Sequence, residues 1–352
     1  VRRSRKPIVI ASRPSQLAQT QANLVGRALA KLHPTLTVRY EWITSRGDQI
    51  TDRPLSAVGG KGLFCKAVEA ALLDGRADIA VHSMKDLPCD PTEATAGLTV
   101  AAVPVRSDVR DALITPADAD LLKAGSASPN GHTPLADAEH LDRLDDHATV
   151  GTSSPRRTAQ LLAARPTVRV AMMRGNVDTR LRLVMDPEGS RRFDAALLAA
   201  AGLRRLGFRG LLKRALPVDV MLPAPGQGAL AIQCRTGDHV TLTRCLPLND
   251  PTTAAAVAAE RQLVAQLGAD CHSPIAVLVQ PVPDAAPGPR DHALRLRAGI
   301  WSARGDRRAW ADLTAPAGDL HRAVKQAAQT LRDQNAPALL DHARRQSHTL
   351  QP

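Results

Sequence analysis

Aromatic residues are scarce in this 352-residue chain, which has three Phe, three Trp and one Tyr. That excludes the aromatic stacking platforms on which many single-strand nucleic-acid binders depend. No stretch approaches the roughly 18 apolar residues of a membrane span, so a spanning helix is not expected. The five cysteines (Cys65, Cys89, Cys234, Cys245 and Cys271) are odd in number and contain no Cys-x-x-Cys pair, which argues against a disulfide framework and a zinc site. The basic start, Val1 to Pro7, is followed by a strand and a polar helix, not by the apolar core of a signal peptide, so cytoplasm is the expected location. Acid is also in deficit. With 46 Lys+Arg against 34 Asp+Glu the net charge is +12, which implies anionic partners. Ala, Leu and Val supply the 44% hydrophobic content, and the length suggests two or three domains.

The chain is organised around Ala77-Asp78-Ile79-Ala80-Val81-His82-Ser83-Met84-Lys85-Asp86-Leu87-Pro88. Asp78 to Val81 reads as a buried strand, and the polar residues after it stand where that strand emerges. In open α/β sheets ligands bind at that edge, so Lys85 and Asp86 are site candidates, although a solvated surface ion pair fits the same residues. Before it, Ile8-Val9-Ile10, a helix from Leu17 to Leu32 and an alternating Leu36 to Trp42 make a βαβ opening. Arg13 falls between strand and helix, where an anion is favoured; a solvated Arg fits too. Gly59-Gly60-Lys61-Gly62 is a loop carrying a cation before a helix, without the spacing of a P-loop.

Further strands are expected at 98–103 and 110–114. Residues 116–147, rich in Ala, Asp, Gly, Pro and Ser and with little periodicity apart from a weak helical pattern at 135–144, read as a surface insertion or partly mobile linker. Strand 148–151 then leads into Thr152-Ser153-Ser154-Pro155-Arg156-Arg157, a helix start where hydroxyls, N–H groups and guanidiniums converge as an anion cradle. Arg174-Gly175 to Arg180 and Gly202 to Gly207, with Arg205, follow two more strands. Parallel strands would gather these arginines around one crevice. A Pro-rich hinge candidate, Leu222 to Gly228, precedes strand 229–234. A helix over 253–267, strands at 275–279 and 294–300 and helical spacing from Ala323 to Leu340 complete the chain. Cys271 lies in the loop before the first of these strands.

These stretches together resemble the porphobilinogen deaminases, also called hydroxymethylbilane synthases. The runs that carry the resemblance are Arg46-Gly47-Asp48, Gly59 to Phe64, Ala80 to Asp86, Gly151 to Arg157, Arg174 to Leu181 and Leu222 to Ala229. It covers the chain from about Ile8 to the final helix, apart from 116–147 and the tail. It implies an α/β fold of two domains like those of periplasmic binding proteins plus a smaller α+β domain. The expected division is 1–110 with 228–246, then 111–227, then 247–352. It implies a transferase that condenses four porphobilinogens head to tail, releases ammonia and yields a linear tetrapyrrole.

It further implies a dipyrromethane cofactor joined by a thioether to Cys271, with no metal, no nucleic acid, no membrane and a monomeric state. Asp86 matches the catalytic carboxylate, expected in a dry cleft, with Lys85 beside it. Cofactor contacts fall on Lys85, Asp86, Thr152, Ser153, Ser154, Arg156, Arg157, Arg174 and Gly175. Substrate contacts fall on Arg13, Ser15, Gln21, Lys61, Phe64, Arg180, Arg205 and Gln227. Three positions depart from the family pattern: Gln16 replaces a common Pro, Ala57 a second loop Lys, and Asp270 the usual Gly before the cofactor cysteine, where an acid would raise the thiol pKa. A basic ligand-binding or DNA-associated regulator is the competing reading, but no helix-turn-helix is visible. A decayed homologue is the third, and the intact Lys85, Asp86 and Cys271 speak against it.

Overall fold

The computed structural model describes residues 6–45, 65–89, 96–123, 139–186, 193–270, 272–282 and 293–349. The strands are β1 (Ile8–Ser12), β2 (Val38–Trp42), β3 (Ile79–Ser83), β4 (Leu98–Ala102), β5 (Asp111–Ile114) and β6 (Thr149–Gly151). They continue as β7 (Arg169–Ala171), β8 (Ala195–Ala199), β9 (Leu230–Arg235), β10 (Ile275–Pro281), β11 (Ala293–Trp301) and β12 (Arg308–Pro316). Longer helices are α1 (Gln16–Leu32), α2 (Lys66–Leu73), α3 (Pro155–Ala164), α4 (Val177–Met185), α5 (Pro251–Gln266), α6 (Leu320–Asp333) and α7 (Ala336–Thr349). The chain divides into two compact units, Val1–Ser107 with Gly228–Ala255, and Asp108–Gln227 with Ala256–Pro352.

In the first unit the sheet order is β2-β1-β3-β9-β4. β1 runs parallel to β2 and β3, whereas β9 is antiparallel to β3 and β4. Alternate side chains of each strand feed opposite cores, as the two-residue period requires. Ile8, Ile10, Ile79, Val81 and Ile232 pack with Ala22, Val25 and Leu29 of α1. Ala11 and Ala80 pack on the other face with Val68, Ala71 and Leu72 of α2. Burial on both faces explains why the central strands read as unbroken apolar runs. The half-buried β2 lies at a sheet edge, with Trp42 41% exposed and stacked on Tyr40.

The second unit has a four-stranded sheet, β5-β8-β6-β7, in which β6 is parallel to β7 and β8, and β5 is antiparallel to β8. Its other sheet, β10-β11-β12, is antiparallel. Ala159 of α3 and Leu222 share a core with Ala276, Leu278 and Trp301, so this α+β layer belongs to the same compact unit. The sequence reading missed β12, whose Ala309 and Ala311 face inward with small side chains that give a faint alternation. The helical spacing after Ala323 is two helices, because Asn335 takes a left-handed φ of 62° between them.

Of the segment 116–147, residues 124–138 lie outside the described residues; the possible helix expected at 135–144 is present as a short helix over Glu139–Asp142, and both described ends are held in place. Asp118 is fully buried and accepts from Arg143 at 2.8 Å and from Arg214 at 2.6 Å. It also closes a capping box with Thr115. A low-periodicity sequence is held here by charge pairing, which hydrophobic patterning does not register.

Candidate active site

In the first unit, polar side chains meet where β1 and β3 end. A cavity there is lined by Ser12, Arg13, Ser15, Gln21, Cys65, His82, Ser83 and Asp86, among others. Each position has a local cause. Ser15 is the N-cap of α1, accepting from the Ala18 N–H at 3.3 Å, and so fixes where the chain turns after β1. Gln21, six residues on and buried, donates from Nε2 to Ser83 Oγ at 3.0 Å and ties α1 to the end of β3. Met84–Asp86 forms a short 3-10 turn closed by Leu87 N–H to Met84 O. The Cys65 thiol donates to the Asp86 carbonyl oxygen at 3.3 Å and anchors that turn. Lys85 is half-buried on the same turn.

Asp86 corrects one expectation. The carboxylate is exposed, not in a dry cleft, because the turn stands at the polar exit of β3. His82, which the sequence reading assigned no role, is buried in the same wall. Burial lowers its pKa to about 4, the Gln233 side chain works against that, and the Arg13 charge adds to it.

In the second unit, Ser154 caps α3 and Pro155 opens it. The Ser153 hydroxyl donates to Met173 O at 2.6 Å, and Thr152 Oγ1 accepts from the Ser154 N–H. The first turn of α3 places Arg156 and Arg157 in the interior against Asp111 of β5. Arg156 donates to Asp111 Oδ2 at 2.7 Å and to Leu222 O at 2.8 Å. Arg157 donates to Asp111 Oδ1 at 2.6 Å and 3.1 Å, and to Leu197 O at 2.9 Å. Burial works to raise the Asp111 pKa, but the two guanidinium charges and their hydrogen bonds outweigh it and hold it well below the usual carboxylate range. Among the described residues, two buried cations thus face one anion, an excess of positive charge at this point. Arg156 Nε has no hydrogen-bond partner among the described residues.

Other expected positions are distributed as follows. Arg174 is half-buried and Gly175 is exposed with φ +100°, where an added Cβ would meet Thr179 at 2.8 Å. Arg180 Nε donates to Gly175 O at 2.8 Å, so it braces that turn. Burial lowers the Arg205 pKa to about 10. Gln227, expected to touch substrate, is instead fully buried and donates to Asp111 Oδ1 at 3.0 Å and Val109 O at 2.8 Å. It is packed behind the ion triad because the chain re-enters beside β5 at that point. Asp111 itself escaped the sequence reading, since nothing local marks an Asp at a strand start as the partner of arginines 45 and 46 positions away.

Lys61, Phe64 and Cys271 lie outside the described residues. The Asp270 carboxylate accepts from the Ser273 hydroxyl at 2.9 Å and from the His272 N–H at 3.0 Å, which gives it a turn-forming task of its own. Among the described residues no group of His, Cys, Asp and Glu is arranged to hold a metal, and no helix is long and apolar enough to cross a membrane.

The family model described as "Porphobilinogen deaminase, dipyromethane cofactor binding domain" matches residues 8–243. The porphobilinogen deaminase of Roseiflexus castenholzii is 43% identical over 274 residues, covering 78% of this chain and 82% of that protein. The porphobilinogen deaminase of Chromobacterium violaceum is 46% identical over 269 residues, covering 76% and 78%. Among solved structures, apo YehZ of Escherichia coli aligns over 76% of this chain and 95% of its own, at 12% identity and a TM-score of 0.37. That likeness is too loose to bear on the fold, which rests on the topology above. Because the family match takes in both the Asp86 turn and the arginine-bearing sheet, and the relatives align over three quarters of the chain, this chain belongs to the porphobilinogen deaminase family.

Proposed function

We propose that the protein is a transferase of tetrapyrrole synthesis that condenses four porphobilinogens head to tail with release of one ammonia per condensation, one water being consumed as the finished chain is released as hydroxymethylbilane. Family membership supports the reaction class. The observation that carries the chemistry is the buried triad, in which Arg156 and Arg157 both pair with Asp111 and, among the described residues, with no other carboxylate. Excess buried positive charge is costly unless an anion completes it, and pyrrole acetates and propionates are anions of the required kind. The residues therefore fit dipyrromethane, the cofactor of this family's domain. When bound, it supplies a free pyrrole α-carbon as the site of chain growth, with Cys271 as its proposed attachment.

The division of labour follows from charge. Arg156 Nε, Arg174, Thr152, Ser153 and Ser154 are proposed to hold cofactor carboxylates, with Arg157 and Gln227 fixing Asp111 behind them. Arg13, Ser15, Gln21, Arg180 and Arg205 are proposed for substrate, each charge-assisted bond contributing roughly 1.5–3 kcal/mol. Lys61 and Phe64 belong to the same proposal. In each condensation the substrate C–N bond breaks with its electron pair going to nitrogen. The new C–C bond would be to the α-carbon that the cofactor supplies, and the proton displaced there would balance the ammonia released. Positive charge develops on the substrate pyrrole nitrogen. Asp86 stabilises it and accepts a proton at its carboxylate oxygen, and both effects strengthen as bound ligand displaces water from this exposed position. Lys85 is proposed to orient a carboxylate beside it.

The test is intact mass of the purified full chain together with porphobilinogen consumption. The expected increment equals two pyrrole units, is lost in Cys271→Ser, and accompanies ammonia release by wild type. Active wild type carrying no increment would overturn the cofactor assignment.

A further inference from the structure

His82 has no part in the chemistry above, yet its surroundings are built. It is the fourth residue of β3, 6% exposed, on the face that packs under α2. In the antiparallel register it stands opposite Ala231 and diagonal to Gln233 of β9. Gln233 is oriented in turn by α2, since its Nε2 donates to Glu69 Oε1 at 3.2 Å. That bond assigns the amide, and its oxygen is left as the acceptor on the histidine side. Two buried atoms have no hydrogen-bond partner among the described residues in this region, His82 Nε2 and Gln233 Oε1. One is a potential donor and the other an acceptor, and Gln233 acts on the ring as an acceptor does.

Resting on the proposed function for the identity of the ligand, we propose that His82 is a substrate-contacting residue. Its Nε2–H is directed to Gln233, and its Nδ1 accepts a hydrogen bond from a pyrrole or amine N–H in the Asp86 cavity. The Glu69–Gln233 hydrogen bond leaves the amide oxygen for the ring and so, on this proposal, sets the His82 tautomer, as partners of functional imidazoles do. The charged groups around the ring are Arg13 after β1, Glu69 on α2 and Asp86 after β3, and the Cys65 thiol lies at the start of α2. A ring that stays neutral in this company keeps its lone pair, whereas an imidazolium would have nothing to accept with.

Nitrogen-15 NMR of histidine-labelled, full-length holoprotein between pH 5 and 8 tests the tautomer. The His82 resonances, identified by their loss in His82→Asn, are expected to be those of a neutral Nε2–H ring throughout, with Nδ1 shifting when porphobilinogen is added. Kinetics test the role. His82→Leu is expected to lower kcat about 10-fold to 100-fold while the cofactor mass increment persists, and His82→Asn, whose Oδ1 can take the place of Nδ1, to recover most of that loss. An Nδ1–H tautomer, a ring that titrates above pH 6, or a His82→Leu enzyme with wild-type kcat would overturn the proposal. If His82→Leu does not fold, the tautomer and its response in wild type decide. If wild type consumes no porphobilinogen, the proposed function fails, while the tautomer measurement still supports or overturns the Nε2–H assignment of His82.

Discussion

Replacing Asp111 with Asn should destabilise the second unit far more than an ordinary substitution. The side chain has no exposed surface, and its oxygens take hydrogen bonds from Arg156, Arg157 and Gln227. Asn keeps the shape but removes the charge, so two buried guanidiniums lose their counterion. Breaking a buried ion pair in this way costs about 3–5 kcal/mol. For a unit of roughly 200 residues that corresponds to a fall in Tm of about 6–20 °C. Trp301 and Trp310, in edge-to-face contact at 6.3 Å, report on this unit, and a Trp42→Phe background removes the signal of the other. Thermal and urea unfolding followed by tryptophan fluorescence then give the loss directly. The pH dependence has a defined sign. Because the folded-state pKa of Asp111 is depressed, its contribution is complete above the ordinary Asp value of about 3.9 and fades as pH falls below it. The gap between wild type and Asp111→Asn should therefore narrow below about pH 4. A loss under about 1 kcal/mol at pH 7, or a gap unchanged at pH 3, would refute the view that this carboxylate holds the two arginines.

Asp86→Asn should fold, acquire the cofactor mass increment and lose about 10²–10³-fold in kcat, as read by porphobilinogen consumption and intact mass; turnover near wild type would remove Asp86 from the chemistry. Gly175→Ala should cost more than about 1 kcal/mol in urea unfolding, because φ is +100° and the new Cβ would press on Thr179 at 2.8 Å; an unchanged midpoint would mean that the turn relaxes without strain.

Much of the layout could be read from residues whose signals are local. Ser154 was legible at a helix start, because hydroxyl caps act over three residues, whereas Ser15, which caps α1, reads from the sequence only as part of the turn after the first strand. The central strands were legible because burial on both faces leaves long apolar runs. The ion triad was not, since its acid and its bases meet only once β5 and α3 are packed, and the same arginines could equally have faced solvent. Gln227 carried no local sign that its amide turns inward to Asp111. His82 was visible as a residue at a strand end, but the Glu69–Gln233 hydrogen bond beside it forms only once α2 crosses that face of the sheet. Resemblance to the family supplied roles for Asp86 and Cys271 that residue type alone could not assign.

The position of β9 bears on how the protein is made. β4 is hydrogen-bonded to β9 and not to β3, so the strand that joins them arrives only when residues 230–235 leave the ribosome. Until then a nascent chain displays two unsatisfied edges, one on each side of the missing strand, while the four strands of the other α/β sheet have already been translated. Synthesis therefore finishes the later-numbered sheet before the earlier one, and a message cut short between those points yields a polypeptide with an exposed, pairing-competent gap.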